Sequence, residues 1–405
     1  MEEILRKLQR DASGSKYKAI KESCTWALET LGGLDTIVKI PPHLLREKCL
    51  LPLQLALESK NVKLAQHALA GMQKLLSEER FVSMETDSDE KQLLNQILNA
   101  VKVTPSLNED LQVEVMKVLL CITYTPTFDL NGSAVLKIAE VCIETYTGSC
   151  HQRSINTAVR ATLSQMLSDL TLQLRQRQEN TIIENPDAPP EFGSQGLEAL
   201  CDDVVSVLAV LCEKLQASIN DSQQLQLLYL ECILSVLSSS SSSMHLHRGF
   251  TDLIWKSLCP ALIVILGNPI HDKTITSAHS SSTGTNMESD SASPGVSDHG
   301  RGSGCSCTAP TLSGPVARTI YYLAAELVRL VGSLDSMKPV LQSLYHRVLL
   351  YPPPQHRVEA IKIMKEVGRY GRMPRVCPQE FLCSVLHVLT SKLFVIPCWS
   401  IIATM

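Results

Sequence analysis

The chain has 405 residues, of which 44% are hydrophobic and only 4% aromatic, so its apolar content is Leu, Val, Ile and Ala rather than rings. That length provides for two or three domain-sized units, and such side chains favour helix packed on helix. The formal net charge of -4 excludes the basic domain or stripe that an electrostatic nucleic-acid binder needs.

From the start of the chain, Cys24, Ala27, Leu28 and Leu31 share one helical face, and Gly32-Gly33 ends that helix. Pro41-Pro42 opens a second helix over 44–57, and a third covers 62–76 with Leu64, Ala65, Ala68, Leu69, Met72, Leu75 and Leu76 on its apolar side. The acidic stretch 78–90 reads as a solvated connector. Helical patterns resume at 91–101, 109–122, 133–146, 154–178, 197–215 and 223–237, punctuated by Pro105, Pro126, Asn131-Gly132, Gly148 and Asn185-Pro186.

These helices resemble one another. Leu64 to Leu76 can be laid over Ile155 to Leu167, with Leu111 to Ile122 midway, a period of about 45 residues with two helices per unit. This predicts an all-α, armadillo/HEAT-like α-solenoid of stacked helix pairs, in which each pair buries its stripe only against its neighbours.

Further on, the serine run 238–243 predicts a loop, and 250–266 predicts an apolar helix interrupted at Pro260. From 272 to 314 the chain is Ser, Gly and Thr with few apolar residues, too few to offset its ordering entropy, so a disordered Ser/Gly-rich linker is expected. Helices return at 316–331, 337–350 and 355–368, the last after Pro352-Pro353-Pro354. The apolar tail 381–405 lacks a polar capping repeat, so the solenoid is expected to be incomplete there.

Of the 14 cysteines, Cys24, Cys49, Cys121, Cys142, Cys201, Cys212 and Cys232 sit singly in apolar helical patterns, where a thiol acts as a small buried hydrophobe. Met1-Glu2-Glu3 does not open a signal peptide, and a reducing, cytoplasmic setting is expected. No apolar run approaches the roughly 18 residues of a membrane span, since 258–266 and 393–403 are shorter and each holds a proline.

Motifs for chemistry are scarce. Gly300-Arg301-Gly302-Ser303-Gly304 neither follows a strand nor opens a helix, so it reads as linker rather than a phosphate loop. Cys305-Ser306-Cys307 has no partner pair at zinc spacing, and His245-Leu246-His247 shows no neighbouring carboxylate or cysteine in sequence, so both read as solvated. No nucleophile elbow, Walker sequence or zinc-protease motif is present, and neither a catalytic residue nor a cofactor or metal is expected.

The helix 154–178 carries more information. Leu163, Met166, Leu167, Leu170 and Leu174 form its apolar stripe, while Gln165, Asp169 and Gln173, spaced by four, lie on another side with Leu172 among them. This row is a candidate hydrogen-bonding surface for a partner helix, with Leu172 as an apolar anchor. Arg175 and Arg177 are expected to add charge at the helix C-terminus, where cations are favoured.

The segment Pro52-Leu53-Gln54-Leu55-Ala56-Leu57-Glu58-Ser59-Lys60, running into Ala68-Leu69-Ala70-Gly71-Met72-Gln73-Lys74-Leu75-Leu76, resembles the amino-terminal region of the large brefeldin A-inhibited exchange factors for ADP-ribosylation factors. The resemblance extends over most of residues 1–240 and includes the start of the chain and the Gln165 to Arg177 helix. It implies a dimerisation and cyclophilin-binding domain over 1–240, an additional helical segment at 244–271, and, beyond the 272–314 linker, the incomplete start of a second regulatory helical domain at 315–405. It also implies self-association, protein partners on helical surfaces, recruitment by a small GTPase of the ADP-ribosylation-factor type, and peripheral association with the cytosolic face of Golgi and secretory-vesicle membranes. No segment resembles the family's catalytic exchange domain, so a non-catalytic regulatory role is expected. Two alternatives remain at this point: a stand-alone solenoid adaptor of the transport-receptor type, and an exchange enzyme with an unrecognised site.

Overall fold

A computed structural model describes residues 1–32, 40–81, 87–125, 130–149, 151–184, 195–220, 222–267, 314–350 and 358–363. The described residues are helical and joined by short turns, with no strand among them. The helices are α1 (Glu2–Asp11), α2 (Lys18–Gly32), α3 (Pro42–Glu58), α4 (Val62–Ser77), α5 (Asp87–Val101), α6 (Glu109–Thr123) and α7 (Gly132–Ser149). They continue with α8 (Arg153–Glu184), α9 (Gln195–Ala217), α10 (Gln223–Ser239), α11 (Arg248–Leu253), α12 (Cys259–Leu266), α13 (Gly314–Val331) and α14 (Lys338–Leu350).

Packing arranges them in two rows. In one, α1, α4, α6, α8, α10 and α13 each lie against the next; in the other, α2, α3, α5, α7, α9, the α11–α12 segment and α14 do the same. Pairs such as α3–α4, α7–α8 and α9–α10 join the rows. Helix pairs stacked this way make an all-α solenoid of the armadillo/HEAT kind. The period of about 45 residues has a plain structural meaning. Leu64, Leu111 and Ile155 are each the third residue of α4, α6 and α8, consecutive helices of one row, and all three are buried.

Local chemistry starts these helices where they start. The Asn61 side chain accepts the backbone N–H groups of Lys63 and Leu64 at 3.1 and 3.2 Å, capping α4. Asn108 and Ser222 cap α6 and α10 in the same way, each satisfying a donor that the helix itself leaves unpaired.

Several sequence expectations need correcting. Helix α1 was not anticipated, because its Leu5 and Leu8 make too short a stripe for periodicity to register; both are fully buried against α2 and α4. The acidic connector is shorter than expected, since Asp87 to Glu90 already belong to α5. Pro260 does not interrupt its helix. The preceding turn, Ile254–Leu258, widens so that the Cys259 N–H donates to the Ile254 carbonyl, and Pro260 falls in the first turn of α12, where a missing N–H costs little. The resulting helix, Arg248–Leu266, has 19 residues and a mean hydropathy of 1.6, enough by length and composition to cross a membrane. One side of it, with Phe250, Ile254, Leu258 and Leu262, is buried and packs on α9 and α14, while Trp255 and Val264 are exposed. The serine run is helical through Ser239, and Ser242–Leu246 forms a 3-10 turn. Of the helix expected at 355–368, residues 358–363 are helical. The expected linker up to residue 313 and the apolar tail lie outside the described residues.

One core contact lends itself to a test. A Cβ added at Gly71 in α4 would meet the Leu53 Cδ atoms at 2.6 and 2.8 Å, and Leu53 is fully buried in α3. Gly71→Ala gains about 1 kcal/mol of helix propensity but overpacks the α3–α4 seam at about 1–3 kcal/mol, so chemical denaturation should show a net loss near 1 kcal/mol. Gly148→Ala in α7, with nothing near its Cβ position, should be neutral or slightly stabilising.

Candidate functional site

The candidate row lies on α8, the helix set between α6 and α10 in its row and covering α7. Ile155, Val159, Leu163, Met166, Leu167, Leu170 and Leu174 are all buried, as their spacing predicts. A second side of the helix is polar and committed to α10 and the turn that follows it. Arg160 holds Glu231 with both carboxylate oxygens at 2.6 and 2.7 Å, Ser164 meets Ser235 at 3.0 Å, and the Gln178 Oε1 accepts from Ser241 and Ser243 at 2.6 and 3.0 Å. This tie between α8 and α10 was not visible in the sequence, because its partners are more than sixty residues apart.

Gln165, Asp169 and Gln173 occupy a third side and are half-buried rather than solvated. The Gln165 Nε2 donates to Asp169 Oδ1 at 2.9 Å. The other carboxylate oxygen, Asp169 Oδ2, and the amide oxygen Gln173 Oε1 are both shielded and accept no hydrogen bond from the described residues. Burial raises the Asp169 carboxyl above the ordinary aspartate range, and the Gln165 hydrogen bond opposes that shift. Two shielded acceptors without donors, one helical turn apart, form a surface that gains from an incoming N–H or O–H donor. Beside them Leu172 is 43% exposed, large for a leucine on an otherwise packed helix.

The arginines fit the expectation less well. Arg175 and Arg177 are exposed, but α8 runs on to Glu184, so neither stands in its last turn. The dipole effect falls off within one turn, so their charge does not stabilise the helix end.

Elsewhere the described residues hold no group of three or more His, Cys, Asp or Glu side chains suited to a metal. His247 does have a carboxylate neighbour, contrary to the sequence reading: its Nε2 lies 3.1 Å from Asp202 Oδ1 and ties the start of α11 to α9. His245 contacts the Ser242 carbonyl in its own turn. The glycine-rich segment 300–304 and the cysteines at 305 and 307 lie outside the described residues. Cys24, Cys49, Cys201, Cys212, Cys232 and Cys259 are buried, which pushes their thiols up to about 12, and burial raises Cys142 as well. Such thiols stay protonated and serve packing. Cys121 is only half-buried.

Comparison with known proteins places this geometry in context. Residues 1–173 match the model of a family described as Mon2/Sec7/BIG1-like, dimerisation and cyclophilin-binding domain. That stretch runs from α1 into α8 and ends at Gln173. The matched domain is one of dimerisation and cyclophilin binding, not a catalytic exchange domain. Brefeldin A-inhibited guanine nucleotide-exchange protein 3 of Homo sapiens is 92% identical over 379 residues, covering 93% of this chain and 17% of that protein. The corresponding protein of Mus musculus is 96% identical over 369 residues, covering 91% and 17%. Brefeldin A-inhibited guanine nucleotide-exchange protein 1 of Rattus norvegicus is 23% identical over 248 residues, covering 52% and 13%. The chain thus spans 17% of the length of the first two relatives.

Proposed function

Since the chain belongs to the brefeldin A-inhibited guanine nucleotide-exchange protein family, we propose that it is a regulatory and scaffolding region that self-associates and binds protein partners along its solenoid in Golgi and secretory-vesicle traffic. The observation that carries this reading is the match of residues 1–173 to a dimerisation and cyclophilin-binding domain, over the same helices whose repeated stacking leaves long outer faces. In this reading residues 1–240 are the self-associating unit, 244–271 extend it, and 315–405 begin a second regulatory helical region. Recruitment by a small GTPase of the ADP-ribosylation-factor type and peripheral attachment to the cytosolic face of these membranes complete the proposal. Light scattering across a dilution series should show a dimer that dissociates with dilution. A monomer at every concentration would overturn the self-association reading. Nucleotide release from ADP-ribosylation factors should not be accelerated by the purified chain.

The partner surface we assign to α8 comprises Gln165, Asp169, Leu172, Gln173, Arg175 and Arg177. The shielded acceptors of Asp169 and Gln173 support it, together with the exposed Leu172. Replacing Gln165, Asp169 and Gln173 together by Ala should leave helical circular dichroism unchanged, because the row's only hydrogen bond among the described residues is internal to it. The same variant should lose a protein captured from cell extract by the native chain. Retention of every captured protein would make this face ordinary surface.

A further inference from the structure

The chain is acidic overall, yet one edge of it gathers exposed cations. The turn between α1 and α2 and the turn between α3 and α4 meet at one edge. There the Asn61 Nδ2 donates to the Tyr17 hydroxyl at 3.3 Å, and Lys63 and His67 hold Asp11 at 3.2 and 2.9 Å. Around these two turns stand Arg10, Lys16, Lys18, Lys60 and Lys63, all exposed. The neighbouring acids do not balance them. Asp11 is one carboxylate shared among three cationic or basic groups, Lys63 at 3.2 Å, His67 at 2.9 Å and Arg10 at 3.8 Å, so it offsets only part of their charge. Among the described residues Lys18 meets Glu22 across 3.6 Å of exposed surface, where pairing is weak. Lys16 and Lys60 have no carboxylate partner among the described residues, and Lys16 lies over the Tyr17 ring.

Two further features mark the edge. Lys60 has φ 56, a left-handed conformation that glycine adopts without strain and that disfavours a lysine. Next to it Val62 is 44% exposed, an apolar side chain projecting among the ammonium groups.

We propose that this edge docks on anionic membrane surfaces, with Arg10, Lys16, Lys18, Lys60 and Lys63 against lipid headgroups and Val62 entering between them. The cations are mostly lysines: compact, hydrated charges on flexible stems, spread over two exposed turns. That suits diffuse attraction to a charged bilayer better than bidentate grasp of a peptide carboxylate. The inference deepens the membrane-attachment part of the function proposed above and is independent of self-association.

The test uses the full chain and vesicles of phosphatidylcholine with and without phosphatidylserine, separated by flotation. The chain should float with the serine-containing vesicles at low salt and be released as salt rises, because screening shortens the reach of surface charge. Lys16→Glu/Lys18→Glu/Lys60→Glu should weaken partition on the order of a hundredfold or more while leaving thermal unfolding and the dimer unchanged. Failure of the native chain to float, equal floating with neutral vesicles, or floating of the triple variant at native strength would each overturn the proposal. So would tighter binding of an acidic peptide or of RNA in competition. Loss of the dimer in the native chain would instead overturn the self-association reading and leave this one standing.

Discussion

Leu167→Asp should unfold the α6–α8–α10 part of the solenoid, with a loss above about 4 kcal/mol. Leu167 is fully buried within the row that α6, α8 and α10 form. Removing it forfeits about 1.5–3 kcal/mol of apolar burial, and an aspartate there has no partner, so desolvating its carboxylate adds several kcal/mol more. Because each rung is stabilised by its neighbours, the loss should spread along the stack rather than stop at α8. Hydrogen exchange is the suitable measurement, since a repeat array need not unfold in one step. Amides of α6, α8 and α10 should exchange far faster than in the native chain, while those of α1 and α2 change least. Leu172→Asp, five residues along the same helix, should alter stability by no more than about 0.5 kcal/mol, because that side chain already faces outward. If the two variants proved equally stable, the assignment of the α8 faces would be wrong.

Arg329→Met should release α13 from the stack. Arg329 and Glu326 form an ion pair with both side chains under 10% exposed. Arg329 also reaches across to α10, donating to the Leu237 carbonyl at 2.6 Å and the Ser240 carbonyl at 3.0 Å. Both carbonyls belong to the C-terminal end of α10, where Leu237 also accepts the Ser240 N–H at 3.3 Å and Ser240 is the capping residue. One guanidinium therefore neutralises a buried acid and caps a neighbouring helix. Removing it leaves Glu326 charged without a partner, a change that costs about 3–5 kcal/mol. Exchange of the α13 amides should accelerate by roughly a hundredfold to a thousandfold. The double variant Glu326→Gln/Arg329→Met removes the stranded charge and should recover part of the loss. A double variant as unstable as the sum of its two single variants would show that the pair is not coupled.

These two residues also separate what could be read in advance from what could not. Leu167 belonged to the core from its spacing alone, because five apolar side chains recurring at three and four residues can only form one helical face. The third positions of α4, α6 and α8 aligned in sequence for the same reason: each must present an apolar residue to the same seam. Arg329 offered no such sign. A charged residue in an amphipathic helix reads as solvent-facing, and only the approach of α10, some ninety residues earlier, turns it inward.

The candidate row on α8 was legible only in part. Spacing placed Gln165, Asp169 and Gln173 on one side, but their half-burial depends on how closely neighbouring helices crowd α8. The shielded acceptors follow from that crowding and have no counterpart in residue order. Helix length also departs from the sequence pattern. The pattern fades after Gln178, yet the backbone stays helical to Glu184, so Arg175 and Arg177 lost their expected place at a terminus.

Local rules alone determined that the described chain is helical, where most helices begin and which faces are apolar. Hydrogen bonding within a helix and side-chain period act over a few residues, so they are written in consecutive sequence. Tertiary structure decided which polar residues are shared between helices, how Pro260 is passed without a break, and that α13 returns to α10 across the long segment between α12 and α13. Those outcomes depend on contacts between residues remote in the chain, and they are fixed only when buried charges and unpaired carbonyls must find partners in a space without water.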